Sequence, residues 1–486
     1  MRTHGIADNL CHMMHCQYTA PSTSNVDPNN HIYLPPELLR AIFSFVTKNK
    51  LELLDSDFME DDRIRLSHVC SYWRFVLLGM KELWNNVVLD LNAHPMILPI
   101  AGQLLLRADG ASLDITAQMK WNAVSGPPTD EFINNIIIPY ATSTQSLRLH
   151  LHFPYIKALL TLPFALSFPI LESLCLRQSS FNVISQTDVP IVSNLSFPRL
   201  QKFEPSINLH HQITLLDVPQ LNNIQWVQLT TFMTKRRITA KTTYDILAAC
   251  TCLKSFLACL DAIDSDEHQR LSTLHRLDLP HLEHLHIRFF ASQRFSSFFS
   301  LFNLPSIRCL ALSENSGRGL DWSRRLNDFL LHQCGSSLED VFIVNNKFDN
   351  EAAAYQFFLH KHTHTLRRLS LWHFPPTEGR IIQRVISGEI CPQLEALSLH
   401  ACDNYSMYFD SILEAIKGKR PSLRDLHLHI SGLFSHRNEH THAWVDSKLD
   451  EIRSCGWRVF VPRVYDNLRC AYRSQTSESD WFGYYT

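Results

Sequence analysis

One short pattern recurs along most of this chain and constrains its fold more than any other feature. An apolar anchor is followed by two residues, an apolar residue, one residue and a second apolar residue. It is read at Leu171/Leu174/Leu176, Leu221/Ile224/Trp226, Leu282/Leu285/Ile287, Ile307/Leu310/Leu312, Leu338/Val341/Ile343, Leu366/Leu369/Leu371, Leu394/Leu397/Leu399 and Leu423/Leu426/Leu428, with weaker copies at Leu200/Phe203 and Leu253/Phe256. Successive anchors from Leu171 to Leu423 lie 29, 21, 32, 29, 25, 31, 28, 28 and 29 residues apart. Alternating apolar residues place one side of a strand in a core. One such strand cannot bury its face alone, but stacked copies bury a continuous core.

Many copies follow a proline, as in Phe168-Pro169, Phe197-Pro198, Leu304-Pro305, Cys391-Pro392 and Arg420-Pro421. A proline just before a strand removes a donor that the ladder does not use there. Helix-like stretches separate the copies, for example Trp322 to Gln333, Ala352 to His362 and Ser406 to Lys417. A strand and a helix per copy, at a period near the upper end of the leucine-rich range of about 20–29 residues, reads as an irregular leucine-rich repeat solenoid. The asparagine expected after each strand is mostly missing, although Asn315, Asn345 and Asn346 fall near it. The alternative, a doubly wound parallel sheet, favours continuous β-branched strands rather than leucine at fixed offsets. Residues 92–143 read as room for one or two further degenerate copies.

A different pattern precedes the array. In Leu34-Pro35-Pro36-Glu37-Leu38-Leu39-Arg40-Ala41-Ile42-Phe43-Ser44-Phe45-Val46, proline suits the first helical turn and Glu37 the positive end of the helix dipole. Leu38, Leu39, Ile42, Phe43 and Val46 form an apolar stripe. An acidic stretch, Asp55 to Asp62, reads as a solvated loop. A second amphipathic segment follows from about Arg63 to Leu78, with Leu66, Val69, Cys70, Trp73, Val76 and Leu77 on its apolar face, then a short strand through Leu83-Trp84 to Leu89. Such short helices carry more apolar surface than they can bury among themselves, so the stripe either docks a partner or packs on the next domain.

The ordered set Leu-Pro-x-Glu-Leu, Ile42-Phe43, Val69-Cys70-x-x-Trp73-Arg74 and Leu83-Trp84 resembles the F-box, in the form common among fungal proteins. The resemblance implies docking onto a Skp-type adaptor and, through it, a cullin scaffold of a ubiquitin ligase. It gives Leu34, Pro35, Glu37, Leu38, Ile42 and Phe43 to the adaptor contact, with Val69, Cys70 and Trp73 completing that surface or holding its helices. The expected organisation is a disordered lead-in at 1–30, an F-box at 31–91, the repeat-like array at 92–465 and a tail at 466–486. The fold class is α/β: a helical F-box followed by the solenoid.

Alternation then assigns the residues two, four and six beyond each anchor to the open face of the array. These include Ser173, Cys175 and Arg177, then His284, His286 and Arg288, then Arg368, Ser370 and Trp372, then His400, then Asp425, His427 and His429. Arginine and tryptophan are favoured interface anchors, and arginine with protonated histidine pairs with carboxylate or phosphate. The open face is therefore expected to take a protein substrate with an acidic or phosphorylated segment.

Composition narrows the rest. Lysine and arginine total 45 against 47 aspartate and glutamate, which lacks the global basic field of a general nucleic-acid binder. With 14 glycines, the chain is poor in the residue that phosphate-cradling loops require. No Walker, dinucleotide, G-x-S-x-G or H-E-x-x-H motif occurs, and no Cys-x-x-Cys pair supports the histidines as zinc ligands. Lys235-Arg236-Arg237 reads as a solvated basic triplet or a weak localisation signal. No apolar run reaches membrane-spanning length, and scattered cysteines fit reduced core thiols in the cytosol or nucleus. The expected protein is a non-enzymatic ligase adaptor, without metal or cofactor, that binds neither nucleic acid nor membrane. The alternative is a repeat scaffold unconnected to ubiquitin transfer.

Overall fold

The computed structural model describes residues 34–47, 50–53, 61–93, 96–119, 127–179, 194–207, 224–261, 263, 265–289, 298–314, 334, 338–344, 364–372, 379–401, 425–430, 439–454 and 458–460. The expected lead-in, the expected tail, Arg420-Pro421 and the helix-like stretches at 322–333, 352–362 and 406–417 lie outside these residues. The chain divides into two compact units, residues 1–215 with 220–225 and residues 216–219 with 226–486.

The first unit begins with three helices. Helix α1, Pro36–Val46, starts with Leu39 N–H donating to the Pro35 carbonyl at 3.1 Å. It stops where the buried Thr47 turns its hydroxyl back onto the Phe43 carbonyl at 2.7 Å. The single amphipathic segment expected at 63–78 is two helices, α2 at Asp62–Ser67 and α3 at Ser71–Leu78. Two caps cause the break. Asp61 accepts from Arg63 N–H at 2.8 Å to start α2, and Cys70, in extended conformation, accepts at Sγ from Trp73 N–H at 3.4 Å to start α3.

Six strands of this unit form a parallel sheet: β1 (Leu51–Leu53), β2 (Asn86–Asp90), β3 (Leu113–Gln118), β4 (Thr144–Leu151), β5 (Ser173–Gln178) and β6 (Lys202–Ser206), in that order. Its register sets Leu51, Val87, Ile115, Leu147, Leu174 and Phe203 in one row and Leu53, Leu89, Ala117, Leu149, Leu176 and Pro205 in another. The leucine, valine, isoleucine and phenylalanine side chains of these rows are buried. Residues 92–143 thus hold strand β3, and the sheet reaches back into the N-terminal helical segment. β1 lies between α1 and α2, a strand that hydropathy alone did not reveal. The buried Arg63 of α2 donates from Nη1 to the Lys50 carbonyl at 3.2 Å and to Asp61 at 2.9 Å, which closes the outer end of the sheet.

The second unit repeats the plan with nine strands: β7 (Thr231–Ile238), β8 (Ser255–Leu260), β9 (His284–Phe289), β10 (Cys309–Glu314), β11 (Asp340–Val344), β12 (Arg368–Trp372), β13 (Ala396–Ala401), β14 (Asp425–Ile430) and β15 (Arg458–Phe460). All pair in parallel. Phe256, Leu285, Leu310, Val341, Leu369 and Leu397 share one buried row, and Ala258, Ile287 and Leu312 share the next. The Phe232 and Phe256 rings stack at 5.6 Å along the first of these.

The anchors occupy a single backbone device. Leu171, Leu200, Leu282, Ile307 and Leu394 are buried and donate N–H three residues back, to Phe168, Phe197, Leu279, Leu304 and Cys391, at 3.1–3.4 Å. These are β-turns with Pro169, Pro198, Pro280, Pro305 and Pro392 at the second position, where a fixed φ suits the turn. The proline therefore shapes the turn into the strand, which is more specific than the missing donor expected. The copy expected at Leu221/Ile224/Trp226 is corrected. Trp226–Gln228 is a short helical turn, Leu229 is the buried anchor and Phe232 the first strand residue in the core. Trp226 satisfied the spacing because it is the buried residue of that turn, not because it lies in a strand.

Leu310 sits between Leu285 and Val341 in the central row. Leu310→Ala is expected to destabilise the second unit by about 2–5 kcal/mol through lost burial and a residual cavity. Urea unfolding followed by tryptophan fluorescence measures this, and an unchanged midpoint would contradict the row.

Candidate functional site

The N-terminal helices present an apolar surface that their own packing does not consume. On α1 only Leu39 and Phe43 are buried among the apolar residues. Leu38, Ile42, Phe45 and Val46 lie on the surface, with Phe45 90% exposed. Positions 38, 42 and 45 follow helical spacing, so they share one face. Val69, beside the α2–α3 break, and Phe75 on α3 are also exposed. Exposed apolar side chains at this density on a small helical module mark a partner surface.

The sequence-expected docking residues separate into two sets. Leu34 is half-buried, while Pro35, Glu37, Leu38, Ile42, Val69 and Cys70 are exposed. Phe43 faces inward with zero exposure, and its ring meets the half-buried Trp73 edge-on at 5.3 Å. Phe43 thus holds α1 on α3 instead of joining the open surface. Tyr72 ties the same helices by donating its hydroxyl to the Leu34 carbonyl at 3.1 Å. Phe45 belongs to the exposed set, although it is not among the residues that the resemblance assigns to the contact. Its signal was its position three residues after Ile42, on the stripe that runs from Leu38.

These helices are braced against the chain that follows. The buried Trp84 donates from its indole to the Leu77 carbonyl of α3 at 3.3 Å. The Arg107 guanidinium lies 5.3 Å from the centre of the Trp84 ring, at the end of helix Ile97–Leu106. Lys81 reaches Asp109 at 2.9 Å on the surface and draws its carboxyl below the usual range, first by hydrogen bonding and then by charge.

The open face of each sheet carries the residues that alternate with the core rows. In the first unit these include Arg148, His150, Cys175, Arg177 and Glu204. Arg177 donates to Glu204 at 2.7 Å, and Cys175 lies 3.7 Å from the His150 ring. Burial, then Glu204, pushes the Cys175 thiol up to about 12, which makes it a poor nucleophile.

In the second unit His284 is exposed, and His286 and Arg288 are half-buried, while Leu285, Ile287 and Phe289 are in the core. Arg368 is held by Asp340 through two bonds, Nε at 2.6 Å and Nη2 at 2.5 Å. Its fork is engaged within the sheet, so it differs from the ligand-facing arginine expected. Trp372, His400, His427 and His429 occupy β12, β13 and β14, and their side chains lie outside the described residues. No group of three or more His, Cys, Asp or Glu side chains suited to a metal ion occurs among the described residues.

At the strand entrances a further feature escaped sequence reading. The residue after each anchor reads Lys254, Glu283, Arg308, Glu339, Arg367 and Glu395 in successive copies, alternating in sign. Their backbones are joined in sequence by N–H donations of 2.7–2.9 Å. Arg308 meets Glu339 at 2.7 Å and Arg367 meets Glu395 at 3.6 Å.

Against known families, residues 32–90 match the F-box-like domain model. No curated protein matches the chain. The N-terminal segment is therefore an F-box-like domain, and its match ends on the residue that ends β2. No helix among the described residues is long and apolar enough to cross a membrane.

Two measurements test these placements. Phe43→Ala is expected to cost about 3–5 kcal/mol of stability, whereas Phe45→Ser, on the surface, stays within about 0.5 kcal/mol. Equal effects in thermal or urea unfolding would contradict the division between packing and surface. His286, flanked in the ladder by Leu257 and Ala311, is lowered to about 4, first by burial and then by Arg288. The unfolded chain then binds a proton between about pH 6.5 and 4 that the folded chain does not, so stability falls as pH drops through that window. His286→Gln should make the stability curve shallower there. Parallel curves for the two proteins would refute it.

Proposed function

We propose that this chain is a substrate-recognition adaptor of an SCF-type cullin-RING ubiquitin ligase. The observation that carries the reading is the coincidence of an F-box-like match at 32–90 with an exposed apolar stripe, Leu38, Ile42 and Phe45, on its first helix. F-box domains generally bind Skp-type adaptors, and burying each of these side chains would contribute roughly 1.5–3 kcal/mol. Pro35 and Glu37 frame the start of that surface, and Val69 and Cys70 extend it.

The rest of the chain is read as an irregular leucine-rich repeat array that holds a protein substrate on its open face. Fixed-offset leucines, a strand per copy and a polar face opposite the apolar one support this over a sheet covered by helices on both sides. Ubiquitin transfer would belong to the partners, and the chain would act as a non-enzymatic receptor in the cytoplasm or nucleus. A repeat scaffold without a ligase is the alternative.

Co-purification of the full chain with a Skp-type adaptor separates the two. Leu38→Glu combined with Phe45→Glu is expected to abolish capture while leaving the thermal unfolding midpoint nearly unchanged, since Leu38 is half exposed and Phe45 90% exposed. Failure of the unsubstituted chain to capture any adaptor, or capture unaffected by the double substitution, would refute the proposal.

A further inference from the structure

The charged residues at the strand entrances of the second unit stand in an order that stability does not require. Behind them runs one backbone device. The Lys254 carbonyl accepts from Glu283 and His284 N–H, the Glu283 carbonyl from Arg308 and Cys309, and the pattern continues to Arg367, which accepts from Glu395 and Ala396, at 2.7–3.1 Å throughout. The same fork occurs in the first unit, where Glu172 accepts from Gln201 and Lys202. A device made of main-chain atoms suits any side chain, so it cannot tell one copy from another. The buried rows cannot either, since each copy offers an apolar residue at the same offsets.

The charges can. Lys254, Glu283, Arg308, Glu339, Arg367 and Glu395 alternate in sign without a break, and Arg424 continues the order outside the described residues. Arg308 donates through two nitrogens to one Glu339 oxygen, at 3.0 and 2.7 Å, and Arg367 meets Glu395 at 3.6 Å. Glu339, by hydrogen bond and then by charge, lifts the Arg308 guanidinium above its ordinary value, and Glu283 on the other side adds to this. Exposed pairs of this kind add little to stability.

One residue further along, a second row repeats part of this order. Asp340 and Arg368 are partners in the ladder, and Arg368 donates to Asp340 at 2.6 and 2.5 Å. Residues 339–340 are thus doubly acidic and residues 367–368 doubly basic. Joining each strand to its next neighbour but one would set Lys254 beside Arg308, Glu283 beside Glu339, Arg308 beside Arg367 and Glu339 beside Glu395. Adjacent strands lie only about 5 Å apart, and like charges directly opposite one another destabilise a pair.

We propose that the alternating charges act as an address: they keep a strand of this sheet from pairing with the next but one, in the same chain or in a second copy, while the sheet forms. Parallel sheets join strands distant in sequence, so they form slowly and leave strand edges unpaired meanwhile. The buried rows would accept a skipped copy, whereas the like-charged contacts oppose it. This role lies outside the docking reading and does not depend on it.

The test compares three full-length proteins for the share of monomer recovered when the urea-unfolded chain is diluted into buffer. The first is unsubstituted. The second exchanges two charges, Glu283→Arg with Arg308→Glu. It keeps composition and net charge, but like signs now meet at positions 254 and 283 and at 308 and 339, while unlike signs meet at the skipped pairs 254 with 308, 283 with 339 and 308 with 367. The third, Glu283→Gln with Arg308→Gln, loses the same ion pairs without rewarding any skip. At low salt the exchanged protein is expected to yield at least about threefold less monomer than the neutral one, with the remainder in oligomers, and the neutral one to stay near the unsubstituted. Sodium chloride at about 0.5 M, which shortens the screening length to about 4 Å, should close most of that gap. Equal yields from the exchanged and neutral proteins at low salt would overturn the proposal, and so would a gap that salt leaves unchanged. The recovered monomers should all capture a Skp-type adaptor equally, so failure here is distinguishable from failure of the docking reading.

Discussion

Both units depend on one alignment: each anchor turn delivers its strand so that the third residue after the anchor lies beside the third residue of the neighbouring strand. The row from Phe256 through Leu285, Leu310, Val341, Leu369 and Leu397 is the result. A slip of one residue would carry every leucine to the open face and every polar residue into the core. Before Leu282, Ile307 and Leu394 of this row, the turn with proline at its second position helps to set this phase, because it fixes where the buried anchor ends and the strand begins. Apolar burial then holds what the turn has placed.

Charge reinforces the same alignment from outside. Lys254, Glu283, Arg308, Glu339, Arg367 and Glu395 alternate at the strand entrances, so each inner copy meets opposite charge on both sides. Exposed pairs of this kind are worth at most about 1 kcal/mol each. Their effect on pairing order is larger than that figure suggests, since skipping a copy would bring like charges together along the edge.

The sequence made the anchors legible because leucine at fixed offsets has few other causes. It misplaced one copy because Trp226, buried in a helical turn, imitates a strand position. It did not expose Leu51–Leu53, since three residues are too short for a periodic signal, and their strand identity comes from pairing with Val87 and Leu89. The apolar face of α1 was legible as a stripe, but a helical stripe does not say which of its members face inward. Phe43 turns in because Trp73 offers an edge-on ring partner, and Phe45 turns out. The arginines of the open face were visible as residues, but their pairing was not. Arg368 is committed to Asp340, 28 positions earlier, and Arg237 and Arg288 fall in one row, with Cys259 between them, only through the bulge in β7.

The most consequential feature is that the F-box-like segment and the sheet share one core. β1 and β2 both arise within residues 32–90, and β2 continues directly onto β3. The F-box-like helices are then fixed to the first strands of the sheet rather than tethered by a linker, which gives the exposed stripe of α1 a set orientation on that unit. Native-state hydrogen exchange of the full chain in increasing denaturant tests this directly. Amides in 36–46, 51–53, 86–90 and 113–118 should merge into one cooperative opening with the same free energy. Opening of 36–53 at lower denaturant, while 113–118 stays protected, would contradict a shared core.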